Sequence, residues 1–310
     1  MYGSRMEGCT VFRVWKIRWR RLFAAAAAVI LTGSATAAVF AAQRKSTAAP
    51  AAEVVSSASD EEIKLPIIMY HSLLKDSAYH GKYVISPDLL EQDLQYLSQN
   101  GYTPVHMAQV IAYVQEGTPL PEKPVILSFD DGYYNNYLYA YPLAQKYRMK
   151  LIIAPIGYYT DLYSGTEDNH ANYSHITWDQ IREMSESGLV EFQNHTYNLH
   201  EYGARKGAGK QKGESFEAYA ALLREDILPM QEKLLACTGK TPDTMVFPFG
   251  DYCADSLKII RSFGFQAAFT CNEQMNVLTR DPECLFTLGR FLRPSGIDSE
   301  TYFTKRVGLS

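Results

Sequence analysis

The chain is short of cysteine and has no surplus of positive charge, and each shortage closes off a class of protein. Thirty Lys and Arg against 34 Asp and Glu give a formal net charge of −4, so nucleic-acid binding has no electrostatic support. Five cysteines in 310 residues include no C-x-x-C pair, which argues against a zinc–thiolate site. Cys9 falls in an N-terminal tail. Cys237, Cys253, Cys271 and Cys284 are open either to free thiols or to any of three disulfide connectivities, and spacing does not choose among these. No internal repeat is present beyond an alternation of strand-like and helix-like segments.

Charge is also missing from residues 22–42, a run of 21 uncharged residues long enough to span a bilayer. Arg13, Lys16, Arg18, Arg20 and Arg21 precede it and set its start on the cytoplasmic side. Two readings stay open: an uncleaved signal anchor, or a signal peptide cut after Ala35-Thr36-Ala37. Both export the rest of the chain, as a membrane-anchored or a secreted protein. Residues 43–63, rich in Ala, Ser, Thr and Glu and without periodicity, read as a disordered linker. The expected organisation is a basic cytoplasmic tail over 1–21, the transmembrane or signal segment over 22–42, the linker, and one folded domain over 64–310.

In the folded part, Leu65-Pro66-Ile67-Ile68-Met69-Tyr70 reads as a strand ending at His71. Ser86-Pro87 opens a helix to residue 100 that groups Leu89, Leu90, Leu94 and Leu97 on one face. A short strand over 102–105, a helix over 107–115, an apolar strand over 125–129, a helix over 137–147 and a strand over 150–155 follow. Thr177 and Gln180 form a capping box for a helix ending near Gly188, and a strand over 190–194 comes next. A long helix over 215–237 is expected to kink or break at Pro229. A strand over 244–247, a helix over 254–263, a strand over 265–270 and a last short strand over 285–288 complete the pattern. Such β–α units imply parallel strands joined by crossover helices. Seven or eight of them close into a barrel, with chemistry at the C-terminal ends of the strands. His71, Asp130 with Asp131, His195, and Pro248-Phe249-Gly250 each follow a strand.

Carboxylates and imidazoles delivered to strand ends suit zinc or another divalent transition ion. Asp131, His195 and His200 supply three ligands and leave a position open. On one straight helix the two histidines, five apart, lie about 140° around the axis from each other, so His195 must end a strand and His200 return from a loop. Asp130, beside a ligand without needing to be one, is placed to take a proton from water. Gly132 lets the backbone turn so that both carboxylates face inward. His80, His106, His170 and His175 read as packed or surface residues.

Ser128-Phe129-Asp130-Asp131-Gly132, His195-Thr196 with His200, and Phe247-Pro248-Phe249-Gly250 resemble the motifs of the polysaccharide deacetylases (the NodB-homology fold, carbohydrate esterase family four). The five-residue histidine spacing, with Met69-Tyr70-His71 near the start, is most similar to the poly-N-acetylglucosamine deacetylase branch. The resemblance runs from about Leu65 to Arg293. It implies a distorted (β/α)7 barrel that removes acetyl groups from N-acetylated sugars. In that frame Asp130 is the general base, and Asp131, His195 and His200 hold the metal. The metal is zinc, with cobalt or nickel as alternatives, and the backbone N–H near Phe249, with Pro248, binds the oxyanion. Three departures stand out. The arginine that steadies the base in the family falls at Val246, no Asp-x-x-Asp-Trp segment follows Ala268, and the late histidine that serves as general acid is replaced within Leu288-Gly289-Arg290-Phe291-Leu292-Arg293. His71 is the candidate acid in its place.

Tyrosine is abundant, 22 in all, and its rings stack on sugar faces; Tyr133, Tyr158 and Tyr159 are the candidates to touch substrate. The glycine- and lysine-rich stretch over 203–213 reads as a mobile surface loop bordering the site. The expected partners are an N-acetylated polysaccharide as substrate and a membrane through the N-terminal segment, with no nucleic acid. The expected function is metal-dependent hydrolysis of N-acetyl groups on N-acetylglucosamine units of a cell-wall or extracellular polysaccharide, releasing acetate. A catalytically weak or inactive carbohydrate-binding protein on the same barrel is the rival, with a small-amide hydrolase third.

Overall fold

The computed structural model describes residues 62–166 and 168–310. The predicted tail, apolar segment and nearly all of the linker lie outside them. Among the described residues no helix is long and apolar enough to cross a membrane. Along the chain the strands are β1 (Ile63–Leu65), β2 (Ile67–Tyr70), β3 (Ser72–Leu73), β4 (Val84–Ile85), β5 (Thr103–Pro104), β6 (Pro124–Asp131), β7 (Leu151–Pro155), β8 (Val190–Phe192), β9 (Thr244–Val246), β10 (Ala267–Phe269), β11 (Asn276–Leu278) and β12 (Phe291–Leu292). The helices are α1 (Pro87–Gln99), α2 (Met107–Glu116), α3 (Tyr141–Tyr147), α4 (Gly157–Ser164), α5 (Trp178–Glu186), α6 (Phe216–Thr238), α7 (Ala254–Ser262) and the single turn α8 (Ser299–Thr301).

The barrel is built from parallel neighbours. β12, β2, β6, β7 and β8 pair in that order, and β9 pairs with β10. Two single bridges close the ring: Asn194 to Met245 joins β8 to β9, and Phe269 to Leu288 joins β10 to the segment entering β12. These contacts are thin because the strands are short there, which makes the seven-stranded ring a distorted one. β6 is the longest strand and is buried along its whole length, as a parallel strand covered on both faces must be.

α1 shows how local chemistry sets the elements. The Ser86 hydroxyl accepts from the Leu89 N–H at 3.0 Å, Pro87 occupies the first helical position, and Leu90, Leu94 and Leu97 are fully buried on one face. Each such leucine contributes on the order of 2 kcal/mol. Asp93 is buried on that same face and pairs with the equally buried Arg293 at 2.8 Å, with Ser299 and Tyr70 donating to its carboxylate. Burial pushes the Asp93 carboxyl up and Arg293 pulls against it.

Several expectations need correction. The expected first strand is two, because Pro66 interrupts it and β1 pairs antiparallel with β11 instead. α6 runs unbroken through Pro229. The last strand is not 285–288: Leu285 ends a 3-10 turn, and the strand falls at Phe291–Leu292. α4 and β11 have no counterpart in the sequence pattern. The 203–213 stretch is pinned rather than loose. Arg205 grips Glu214 at 2.6 and 3.0 Å, Lys210 meets Asp255 at 2.7 Å, and Tyr219 donates to the carbonyl of the fully buried Ala208. Cys237, Cys253, Cys271 and Cys284 are free thiols.

Candidate metal centre

The sequence pattern brings its chosen residues together. Asp131 ends β6, His195 follows β8, and His200 returns from the loop beyond it. The Asp131 carboxylate oxygen lies 3.4 Å from His195 Nε2 and 3.3 Å from His200 Nε2, and one ligand atom from each of the three falls within 4.8 Å of the others. Tetrahedral ligands about 2.1 Å from a zinc ion stand about 3.4 Å apart, so the donor set fits such an ion with little rearrangement. Two further observations agree. Asp131 Oδ1 and His195 Nε2 are buried without a hydrogen-bond partner, which an apo protein leaves orphaned only at a cost. His195 Nδ1 donates to the Val246 carbonyl at 2.7 Å, which leaves Nε2 as the lone-pair nitrogen facing Asp131.

The loop that carries His200 is held from α6. Asp226 accepts the consecutive N–H groups of Tyr197 and Asn198, both at 2.7 Å. Asn194 donates to the Ile227 carbonyl and Gln231, and its own oxygen accepts the Thr196 N–H. Backbone strain gathers here. Of the four non-glycine residues with positive φ among the described residues, Asp131 (68°), Thr196 (72°) and Phe249 (57°) flank this site; such strain persists where the surroundings enforce it. Gly132 has φ 68°, and a Cβ on it would lie 2.7 Å from Pro155 Cβ, so no larger residue fits the turn.

Asp130 is buried beside the triad. Arg290 holds it with Nη1 at 2.6 Å from Oδ1, and the same guanidinium donates to Ser128 Oγ and the Thr270 carbonyl. Burial opposes the charge on Asp130, but the Arg290 guanidinium and the nearby His195 keep its carboxyl below the ordinary range. His71 Nε2 sits 4.0 Å from Asp130 Oδ2; burial lowers its pKa against the pull of both carboxylates. Burial likewise opposes ionisation of Asp131, which its histidines hold well below the usual range.

Arg290 is the residue that sequence reasoning missed. The sequence pattern marks it as a departure and puts the arginine partner of the base at Val246, whose buried side chain cannot serve and whose carbonyl instead orients His195. The available signal was an arginine inside an apolar stretch, which can be fully buried only against an acid. Pro248 and Phe249 sit after β9, with the Phe249 ring 4.5 Å from His200. Tyr133, Phe249, Tyr202, Lys206, Lys82 and Tyr83 line the cleft above Asp131. Tyr158 and Tyr159 do not line it.

Comparison with known proteins agrees with this geometry. The family model for polysaccharide deacetylase matches residues 117–268. A solved de-N-acetylase from Aggregatibacter actinomycetemcomitans is 31% identical, with a TM-score of 0.63 over 77% of this chain and 97% of that one. IcaB from Ammonifex degensii is 26% identical, with a TM-score of 0.64 over 79% and 96%. The poly-beta-1,6-N-acetyl-D-glucosamine N-deacetylase of Escherichia coli K12 is 28% identical over 223 residues, 66% of this chain and 33% of that protein. The chain belongs to the polysaccharide deacetylase family and is similar to its poly-N-acetylglucosamine enzymes. It spans about a third of the length of its Escherichia coli relative.

Proposed function

We propose that the protein removes acetyl groups from N-acetylglucosamine units of an extracellular polysaccharide, with a β-1,6-linked polymer as first candidate because the similar Escherichia coli protein carries that name. The observation that carries the reading is the pairing, in one buried cluster, of a three-residue donor set with a separate carboxylate held by an arginine. Asp131, His195 and His200 hold a divalent ion, most simply zinc. When bound, that ion supplies a Lewis acid for the amide carbonyl and acidifies water.

The protein's own groups do the rest. Asp130, kept ionised by Arg290, takes the proton of the attacking water. The Phe249 N–H, in the turn after β9, is the backbone donor for the oxygen that gains charge, since Pro248 has no N–H and the Gly250 N–H is taken by the Phe247 carbonyl at 2.9 Å. His71 delivers a proton to the departing amine. Carbon–nitrogen cleavage then gives acetate and a free amine on the sugar. The rival reading of an inactive binding protein rested on the residues at Val246 and Arg290. Arg290 stands against Asp130 and supplies the arginine partner missing at Val246, and His71 is assigned the part of the missing late histidine.

The basic cluster before residues 22–42 supports export, with the folded domain outside the membrane either tethered or released. The test is acetate release from N-acetylglucosamine oligomers by the full-length protein loaded with zinc or cobalt, set against chelator-treated protein. Metal-dependent release is expected. Release unaffected by chelation, or none from folded, metal-loaded protein on any linkage, would sink the reading.

A further inference from the structure

Away from the candidate ligands, exposed aromatic surface concentrates on α4. Tyr158 and Tyr159 are 43% and 37% exposed, and Leu162 lies beside them. α4 follows β7 directly, so it sits at the end of the barrel where the strands deliver Asp131 and His195. None of these side chains has a part in the reaction described above.

They are nevertheless joined to the cleft by a continuous run of rings. Tyr133 lines the cleft with Asp131 and His200, and its ring lies 4.9 Å from that of His175. His175 lies nearly flat on Tyr159, 4.5 Å away at 14°, and Tyr159 meets Tyr158 edge-on at 5.4 Å. The backbones of Tyr133 and His175 also form a bridge, so the run is tied by more than ring contact. His175 covers one face of Tyr159, leaving the exposed part of that ring to the opposite face and edge. His175 itself is buried, and burial drops its pKa to about 4, so it is a neutral aromatic spacer at physiological pH.

We propose that Tyr158 and Tyr159, aligned with Tyr133 through His175, form a subsite for the sugar units that flank the reacting one in an N-acetylated glycan. The proposal rests on the deacetylase reading of the cleft. A polymer whose reacting unit lies beside Asp131 must leave the cleft over its rim, and this run of rings starts at that rim. Pyranose rings present C–H faces that stack on aromatic rings, and the tyrosine hydroxyls match the sugar's polar edge. Because Tyr159 is already fixed against His175, ordering it costs little on binding.

The test compares kcat/KM for acetate release along N-acetylglucosamine oligomers from dimer to hexamer, in the wild type and in the double variant Tyr158→Ala/Tyr159→Ala. The double variant should lose about five- to tenfold on the hexamer and nothing on the dimer. Equal losses on both, or an unaltered hexamer, would overturn the subsite. Calorimetric binding of the hexamer to the full-length protein, weakened in the double variant, tests the subsite even if the wild type releases no acetate. In that event the deacetylase reading falls and the glycan subsite stands. Weakened binding to phosphatidylglycerol vesicles with hexamer affinity intact would assign the patch to a lipid surface and overturn the proposal.

Discussion

Arg290 and Asp130 are the pair on which the proposed chemistry turns. Arg290 is fully buried and its guanidinium has few alternatives to Asp130 for its charge. Replacing it in Arg290→Met leaves a buried carboxylate unpaired. The Asp130 pKa then rises, because the cation that lowered it is gone and burial remains. The base must be ionised to act, so the acid limb of the kcat/KM profile should move to higher pH, with activity at neutral pH down about 10²- to 10⁴-fold. An unmoved acid limb would remove Asp130 as the titrating base. His71 tests the other limb. An acid works only while protonated, and burial sets its pKa below that of an ordinary histidine. Activity should therefore fall with rising pH earlier than usual, and His71→Gln should abolish that limb at a cost of about 10²-fold or more. Unchanged turnover across pH in His71→Gln would take His71 out of the mechanism. The residues at strand ends were legible in the sequence because motif, strand and spacing coincide there. Arg290 was not, because its partner lies 160 positions away and nothing local marks the contact.

Among elements, α6 and α1 each carry a load that their sequences only partly disclose. The His200 loop has little regular structure of its own, and Asp226 on α6 takes two of its N–H groups. Asp226→Ala should loosen His200 and weaken zinc or cobalt binding about 10- to 100-fold, as loss of support to ligands does, while the melting curve stays cooperative. Metal affinity equal to wild type would show that the loop holds without it. On α1, Asp93→Ala strands Arg293 in the core and should cost about 3–5 kcal/mol in denaturant unfolding; a change below about 1 kcal/mol would mean that water reaches the site. α2 gives a pH test of stability. His106, at its N-terminus, is lowered by burial to about 4. Between that value and the unfolded value near 6.5 the unfolded chain binds the extra proton, so stability falls as pH drops through this window. Asp243, raised by burial to about 6, acts in the opposite sense, so the difference between wild type and His106→Gln is the quantity to follow. The substitution should flatten the fall by on the order of 2 kcal/mol. α1, α2 and α5 were legible because caps and apolar spacing agree. α4 was not, because it buries only Gly157 and Thr160 and so lacks an apolar stripe. The last strand was misplaced because the apolar run at 285–288 reads like a strand while the chain there turns.

For the molecule as a whole, the closed parallel ring explains why residues from distant stretches converge. The ends of β2, β6, β8 and β9 and the segment entering β12 bring His71, Asp130 with Asp131, His195, Phe249 and Arg290 to the same end, and the apolar strands that deliver them form the core. The α/β barrel was legible from the alternation of elements. Its closure through single bridges was not, since β8, β9 and β10 have only three residues each. In the proposed mechanism labour is divided: Asp131, His195 and His200 hold the metal while Asp130 moves the proton. One paired measurement tests it most directly. Cobalt titration followed by absorbance, together with acetate release, is carried out on wild type, Asp130→Asn and His200→Ala. Asp130→Asn should bind cobalt with wild-type stoichiometry and lose at least about a hundredfold in turnover, whereas His200→Ala should lose cobalt and turnover together. Full turnover in Asp130→Asn, or undiminished cobalt binding in His200→Ala, would contradict the account.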